Sequence, residues 1–235
     1  MAREKIQPVS LYIGGVEHAV LHLLYARFIY RFLCSELNAP FSEPFERLIC
    51  QGLVEGETYK HNGRYLHPEE RATLPEQEIE VTWEKMSKSK HNGVDPMSLV
   101  QTYGADTVRL CVLFKAPPEV PLRWSDRDIK GPHRWLLRLL SLANRICALT
   151  PDEQNPGSDE SLRDELQKAE LKYHGVMSME EHKPNVAIAA LMQLTNAIEK
   201  HHTAKNAREA LEKLSVLLSP LAPHTSAELV EILSN

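Results

Sequence analysis

The spacing of apolar residues changes character once along these 235 residues, and that change limits what the chain can fold into. Up to about residue 125, short runs with strand alternation take turns with helical spacing, the order that lays helices on a sheet. Beyond Asp126 no strand pattern remains. Amphipathic stretches follow at about 128–149, 160–182, 185–202 and 205–233, the last broken at Pro220 and Pro223. The expected fold class is therefore α/β followed by all-α, divided as 1–125 and 126–235. Thr150 to Ser158 reads as a polar connection between two bundle helices, because helical pattern lies on both sides of it.

Within the first part, Val9–Ile13 reads as a strand and Gly14-Gly15 as a tight turn after it. From Glu17, apolar residues recur every three or four positions until Asn38-Ala39-Pro40, which predicts a long, largely buried helix. Arg47–Val54 reads as a second strand, His61-Asn62-Gly63-Arg64 as a hairpin turn, and 79–84 as a half-buried strand. Asp95-Pro96 supplies a cap and a first-turn proline for a helix stopping near Tyr103-Gly104. Another helix is expected from Ala105-Asp106 to just before Pro117-Pro118.

Composition narrows the function. Hydrophobic residues at 43% and charged ones at 25% rule out disorder along the whole length. With no early apolar core of a signal peptide and no charge-free run of membrane length, neither secretion nor membrane insertion is expected. Cys34, Cys50, Cys111 and Cys147 form no C-x-x-C pair and are expected to be reduced core thiols. The net charge of -5 means that any nucleic-acid contact must come from a local basic surface. Lys130, Arg134, Arg138 and Arg145 provide one, roughly a single helix stripe, with Trp135, Leu139, Ala143 and Ile146 on another face. The stripe suits RNA phosphates and a solvated face equally well. Trp124 and Trp135 are assigned to the bundle core.

The segment Lys85-Met86-Ser87-Lys88-Ser89 carries the most chemistry. Two ammonium groups three residues apart, with small hydroxyl residues between, lead into a capped helix, which suits a mobile clamp on a polyphosphate. A solvated basic turn is the bland reading of any K-x-x-K loop. His18 and His22, four apart, share a helix face and could be half of a metal site, but no third ligand is apparent and no metal site is expected. Gly14, Gly15 and Glu17 could bring backbone and a carboxylate close to ribose hydroxyls, or form only a strand-to-helix turn.

Lys85–Ser89 matches the K-M-S-K-S signature of class I aminoacyl-tRNA synthetases at every position. Gly14-Gly15-Val16-Glu17-His18-Ala19-Val20-Leu21-His22-Leu23 resembles the G-G-x-E-H-A-x-x-H-L block of the leucine-specific members, and Gln51-Gly52-Leu53-Val54 their adenine-contacting strand end. Ile79 to Pro96 is most similar to the mitochondrial type, with His91 where bacterial forms usually carry asparagine. Tyr103–Arg109 and Leu218–His224 also fit, so the resemblance runs over nearly the whole chain.

The resemblance implies the C-terminal half of a Rossmann-type catalytic domain followed by an α-helical anticodon-binding bundle. It implies activation of leucine by ATP with Mg2+ and transfer to tRNA(Leu). Lys85 and Lys88 would hold the phosphates as catalytic groups, with Lys88 the stronger. Gly14, Gly15, Glu17, Gln51, Val54, Ser87 and Ser89 would join them around ATP, and His18 and His22 would meet leucine. Lys130, Arg134, Arg138 and Arg145 would contact tRNA.

An H-x-G-H-type signature and an editing domain are absent from these residues, so a C-terminal-half fragment is expected, nearly inert and poorly soluble alone. A complementary N-terminal half is the expected partner, and a membrane is not. A mitochondrial matrix location is implied by resemblance, with the cytoplasm as alternative. The competing reading is a catalytically inactive RNA-binding or regulatory fragment.

Overall fold

The computed structural model describes residues 6–150, 152–153, 159–178 and 180–234. Most of the expected polar connection at 150–158 lies outside them. Internal contacts divide the chain into two units, Met1–Asn92 with Pro118–Arg123, and Gly93–Pro117 with Trp124–Asn235.

The first unit holds two sheets. β1 (Tyr12–Gly15) and β2 (Leu48–Gln51) pair in parallel, Gly14 opposite Cys50 and Gly15 opposite Gln51. Between them runs α1 (Leu21–Leu37), reached through a short 3-10 turn at Val16–His18. Asn38 ends α1 in the left-handed region at φ 47°, a usual C-terminal stop. The second sheet contains β3 (Val54–His61), β4 (Arg64–Tyr65), β5 (Glu80–Lys85) and β6 (Leu122–Arg123). β3 pairs antiparallel with β4 and β5 and parallel with β6. Asn62 and Gly63, at φ 51° and 77°, make the expected hairpin turn. A single-turn helix, α2 (Pro68–Arg71), follows β4.

Three expectations are corrected here. Gly14 and Gly15 are the last residues of β1, and neither adopts positive φ; the turn follows them. The expected strand 47–54 is two strands in different sheets, because the chain crosses between sheets at Gly52. There the Gly52 amide donates to the Pro118 carbonyl at 2.8 Å, and an added Cβ would stand 2.6 Å from Pro121 N and closer still to the Val120 carbonyl. Gly52→Ala should therefore cost about 1–3 kcal/mol through a clash that only backbone movement relieves, read as a lowered thermal midpoint. Finally, α1 is not largely buried: only Leu23 and Cys34 are, while Val20, Leu21, Leu24, Tyr25, Phe28 and Phe32 stand 55–71% exposed.

The second unit is helical. α3 (Pro96–Tyr103) starts on Asp95, whose carboxylate accepts from the amides of Met97 and Ser98 at 3.1 and 3.3 Å. Gly104 at φ 82° separates it from α4 (Ala105–Lys115). These two helices, expected with the sheet, group instead with α5 (Lys130–Cys147), α6 (Glu160–Val176), α7 (Pro184–Lys200), α8 (Ala207–Leu218) and α9 (Pro223–Ser234). Leu139, Leu142, Ile188, Leu191, Leu211 and Leu229 are among the fully buried side chains of one continuous core. α4 and α9 are tied by polar contacts: Asp106 accepts from the Thr225 amide at 2.6 Å and its hydroxyl at 2.8 Å, capping α9 from outside. Arg109 donates to the carbonyls of Pro220 and Leu221. Trp135 is buried as expected, its indole donating to Thr195 Oγ1 at 3.0 Å. Trp124 is only half-buried and donates to Asp126, so it is not a core residue. Of the four free cysteines, Cys34 and Cys111 are buried.

Candidate active site and its signature loop

The loop after β5 leaves the sheet with its base pinned. Met86 N donates to the Val54 carbonyl at 2.9 Å, which places the predicted nucleotide residue Val54 directly under the loop. Lys88–Lys90 form a short 3-10 turn that His91 closes in the left-handed region at φ 53°. Ser87 and Ser89 share a hydroxyl contact at 3.0 Å. Glu84, at the end of β5, pairs with Lys60 and, at 2.6 Å, with Lys90, while the Tyr65 hydroxyl donates to it at 3.1 Å. The two ammonium groups, Lys60 first, hold its carboxyl down to about 2.

A carboxyl depressed in the folded state gives stability that is complete above its ordinary range, near 4.5, and lost as pH falls through about 2. A carbon-detected titration of Glu84 should show its midpoint well below the ordinary carboxylate value near 4.5. A midpoint at that ordinary value would refute the three-way pairing.

Lys85 reaches back to the first sheet. Its Nζ lies 3.0 Å from Glu17 Oε1, so the block at Gly14–His22 and the signature loop meet across 68 residues of chain. Glu17 is lowered first by backbone hydrogen bonding and then by Lys85, and stays a carboxylate. A Cβ on Gly15 would stand 2.8 Å from Glu17 Cδ, so the bare glycine leaves room for that carboxylate. Gln51 sits opposite Gly15 in the ladder. Lys88 is exposed, and its side chain makes no ion pair or hydrogen bond among the described residues, leaving its charge available to an incoming anion.

His22 and Tyr12 share a hydrogen bond at 2.8 Å, and the rings of His18 and His22 meet edge-on at 6.0 Å. Together with Leu23, Leu48 and Cys50 they line a cavity of about 30 Å³, room for one water and too small for a branched amino-acid side chain. Among the described residues, no group of three or more His, Cys, Asp or Glu could hold a metal ion.

The basic stripe on α5 is partly spent inside the bundle. Arg145 pairs with Glu199 of α7 at 3.2 Å, and Arg138 donates to Asn196 at 2.6 Å with Glu199 3.8 Å away. Lys130 and Arg134 remain exposed without an ion pair among the described residues. Lys115, Arg134, Arg138 and Trp135 line a groove of about 850 Å³ on this unit, where Lys115 is paired with Asp128.

Comparison with known proteins agrees with this arrangement. A family model described as tRNA synthetases class I (I, L, M and V) matches residues 80–125, the stretch that contains the signature loop. Leucine–tRNA ligases of Synechococcus sp. (strain CC9605) and of Prochlorococcus marinus subsp. pastoris are 41% and 39% identical to this chain over 94% and 99% of it. Over nearly its whole length, then, the chain is similar to leucine–tRNA ligases.

It spans only 27% and 29% of the length of those two relatives. The crystal structure of an Agrobacterium radiobacter K84 LeuRS-tRNA-LeuAMS ternary complex matches 98% of the chain and 28% of its own, with TM-score 0.74 and 32% identity. A Mycobacterium tuberculosis methionyl-tRNA synthetase bound by methionyl-adenylate matches at TM-score 0.68 and 18% identity, a likeness of fold alone. The order of an α/β part followed by an all-helical part is thus shared with the matching stretch of that LeuRS structure.

The residues that sequence reasoning passed over are Glu84, Asn92 and Thr58. Glu84 and Thr58 alternate within strands like any solvated polar residue. Asn92 stands in a polar, basic run ending at Gly93, so no sequence signal marks the burial of Thr58 and Asn92.

Proposed function

We propose that this chain is the part of a leucine–tRNA ligase that carries the signature loop and the helical bundle, acting in ATP-dependent formation of leucyl-adenylate and transfer of leucine to tRNA(Leu). The observation that carries this reading is the joining of Lys85 to Glu17, which brings the signature loop to the leucine-type block. Lys88, unpaired, takes the ATP phosphates; Lys85 leaves Glu17 to share them, and the freed carboxylate faces the ribose. Gly14, Gly15, Gln51 and Val54 border the adenosine. His18 and His22 form one wall for leucine, and the small size of their cavity means that other walls come from elsewhere. Magnesium would accompany ATP rather than occupy a cluster of this chain's own side chains, and would offset charge on the phosphates that Lys85 and Lys88 hold. Lys130 and Arg134 carry the phosphate contacts of tRNA more than Arg138 and Arg145, whose charges Glu199 already meets.

The missing share of the site belongs, in this reading, to a complementary N-terminal half. The apolar face of α1 and the two-stranded parallel sheet beside it support this, since a parallel pair is normally covered on both faces. The mitochondrial type and a matrix location rest on the resemblance of Ile79–Pro96, His91 included; the relatives above are bacterial. Leucine-dependent exchange of pyrophosphate into ATP tests the proposal. Exchange should appear only when an N-terminal half is supplied. Binding of tRNA with no exchange under any pairing would establish the RNA-binding fragment in its place.

A further inference from the structure

We propose that Asn92 is the positioning residue of the signature loop, its carboxamide clasping the loop's base so that Lys85 to Ser89 keep one conformation. This rests on the functional reading above only for its effect on catalysis; the clasp itself is a claim about the fold.

Asn92 closes the loop and is 8% exposed, an unusual place for a carboxamide unless its oxygen and nitrogen are both hydrogen-bonded. Both are. Its Oδ1 accepts from the Ser87 amide at 2.9 Å. One proton of its Nδ2 goes to Thr58 Oγ1 at 2.7 Å, and the other is shared between the carbonyls of Glu84 at 3.2 Å and Lys85 at 3.3 Å. One side chain thus bonds the residues on either side of the point where β5 becomes the loop, and fastens them to β3. The reverse orientation would set two carbonyl oxygens against Oδ1 and the Ser87 amide against an NH2 group, so the network admits one orientation.

Thr58 is fully buried, and its own hydroxyl donates to the Gly56 carbonyl at 3.1 Å, which leaves it an acceptor towards Asn92. Gly56 completes the fit. A Cβ there would collide with the Asn92 carbonyl oxygen and crowd Met86, so the loop's two ends close over bare backbone. Beyond the clasp, the ring of His91 lies on that of His67, centroids 3.5 Å apart, which steadies the return from the other side.

A lysine that must meet a phosphate in the transition state loses its effect if its backbone wanders by an ångström. Lys85 is the last residue of β5, and Lys88 lies beyond it in a short 3-10 turn with no longer element to hold it. The clasp fixes the backbone at this junction and engages neither ammonium group.

Two measurements test this on the 235-residue chain and on its pairing with an N-terminal half. In the chain alone, Asn92→Ala should speed amide exchange at Ser87 by about fivefold or more, the loss expected for a single buried hydrogen bond, with the bundle helices unchanged. Asn92→Asp, the same shape without donors, should do at least as much because its oxygens face two carbonyls. Thr58→Val, which takes away one acceptor and keeps the side chain's bulk, should give a smaller increase and guards against a variant that fails to fold. In the paired protein, Asn92→Asp should lower kcat for pyrophosphate exchange about tenfold while the KM for leucine holds. Unchanged Ser87 exchange in Asn92→Ala and Asn92→Asp overturns the clasp. Faster Ser87 exchange with full kcat overturns its positioning role. If the unsubstituted pair shows no activity, the functional reading fails and the amide measurement still decides the clasp.

Discussion

Lys88→Ala, made in this chain and assayed with an N-terminal half, should lower leucine-dependent pyrophosphate exchange by about 10²–10³-fold while the KM for leucine moves less than about twofold. The argument is one of free charge. Lys60 and Lys90 are committed to Glu84, and Lys85 to Glu17, so Lys88 is the cation of this loop that pays no internal debt before meeting a phosphate. Negative charge grows on the departing pyrophosphate, and a donor placed for that moment lowers the barrier without strengthening ground-state binding of the amino acid. Lys85→Ala should cost less, because the native ammonium must first part from Glu17. Equal loss in kcat and leucine affinity for Lys88→Ala would remove the lysine from this role and make it a general support of the pocket.

The sequence made some of this legible and concealed the rest for physical reasons. Helices α5 to α9 follow from apolar spacing, because a helix that buries one stripe in a bundle must repeat that stripe. The hairpin at Asn62-Gly63 follows from a turn that only such residues accept at positive φ. The burial of α1 did not follow. Apolar spacing shows that a face wants cover and is silent on whether cover is present.

The crossing at Gly52 was hidden because apolar residues flank the glycine on both sides, Leu48–Cys50 and Leu53-Val54; what splits the run is the backbone of 118–121 lying against the glycine. The α5 stripe was visible as four basic residues on one face, but Glu199 reaches Arg138 and Arg145 from α7, and no periodicity in α5 could announce it. At the site, Lys85 and Glu17 were each named from their own motifs, and their contact needed the fold. Asn92 was invisible because a buried carboxamide and a solvated one are spelled alike.

The uncovered face of α1 yields the second large effect. Leu21, Phe28 and Phe32 fall at i, i+7 and i+11 of one helix, each more than half exposed. Burying each side chain against a partner is worth about 1.5–3 kcal/mol, so removing all three from an interface should weaken association by about three orders of magnitude or more. Leu21→Gln, Phe28→Gln and Phe32→Gln together keep good helix formers in α1 and leave Leu23 and Cys34 in place, so the unit itself should fold as before. Two outcomes then move in opposite directions. The chain alone should stay monomeric at concentrations where the unsubstituted chain self-associates, as read by light scattering. Pairing with an N-terminal half, and the exchange activity that depends on it, should be lost. Intrinsic misfolding would raise scattering and abolish activity together, whereas loss of a docking face lowers the first while abolishing the second. A triple variant that pairs and exchanges as well as the original would show that α1 does not face the partner, and the complementary half would then have to engage the edges of β1 and β2.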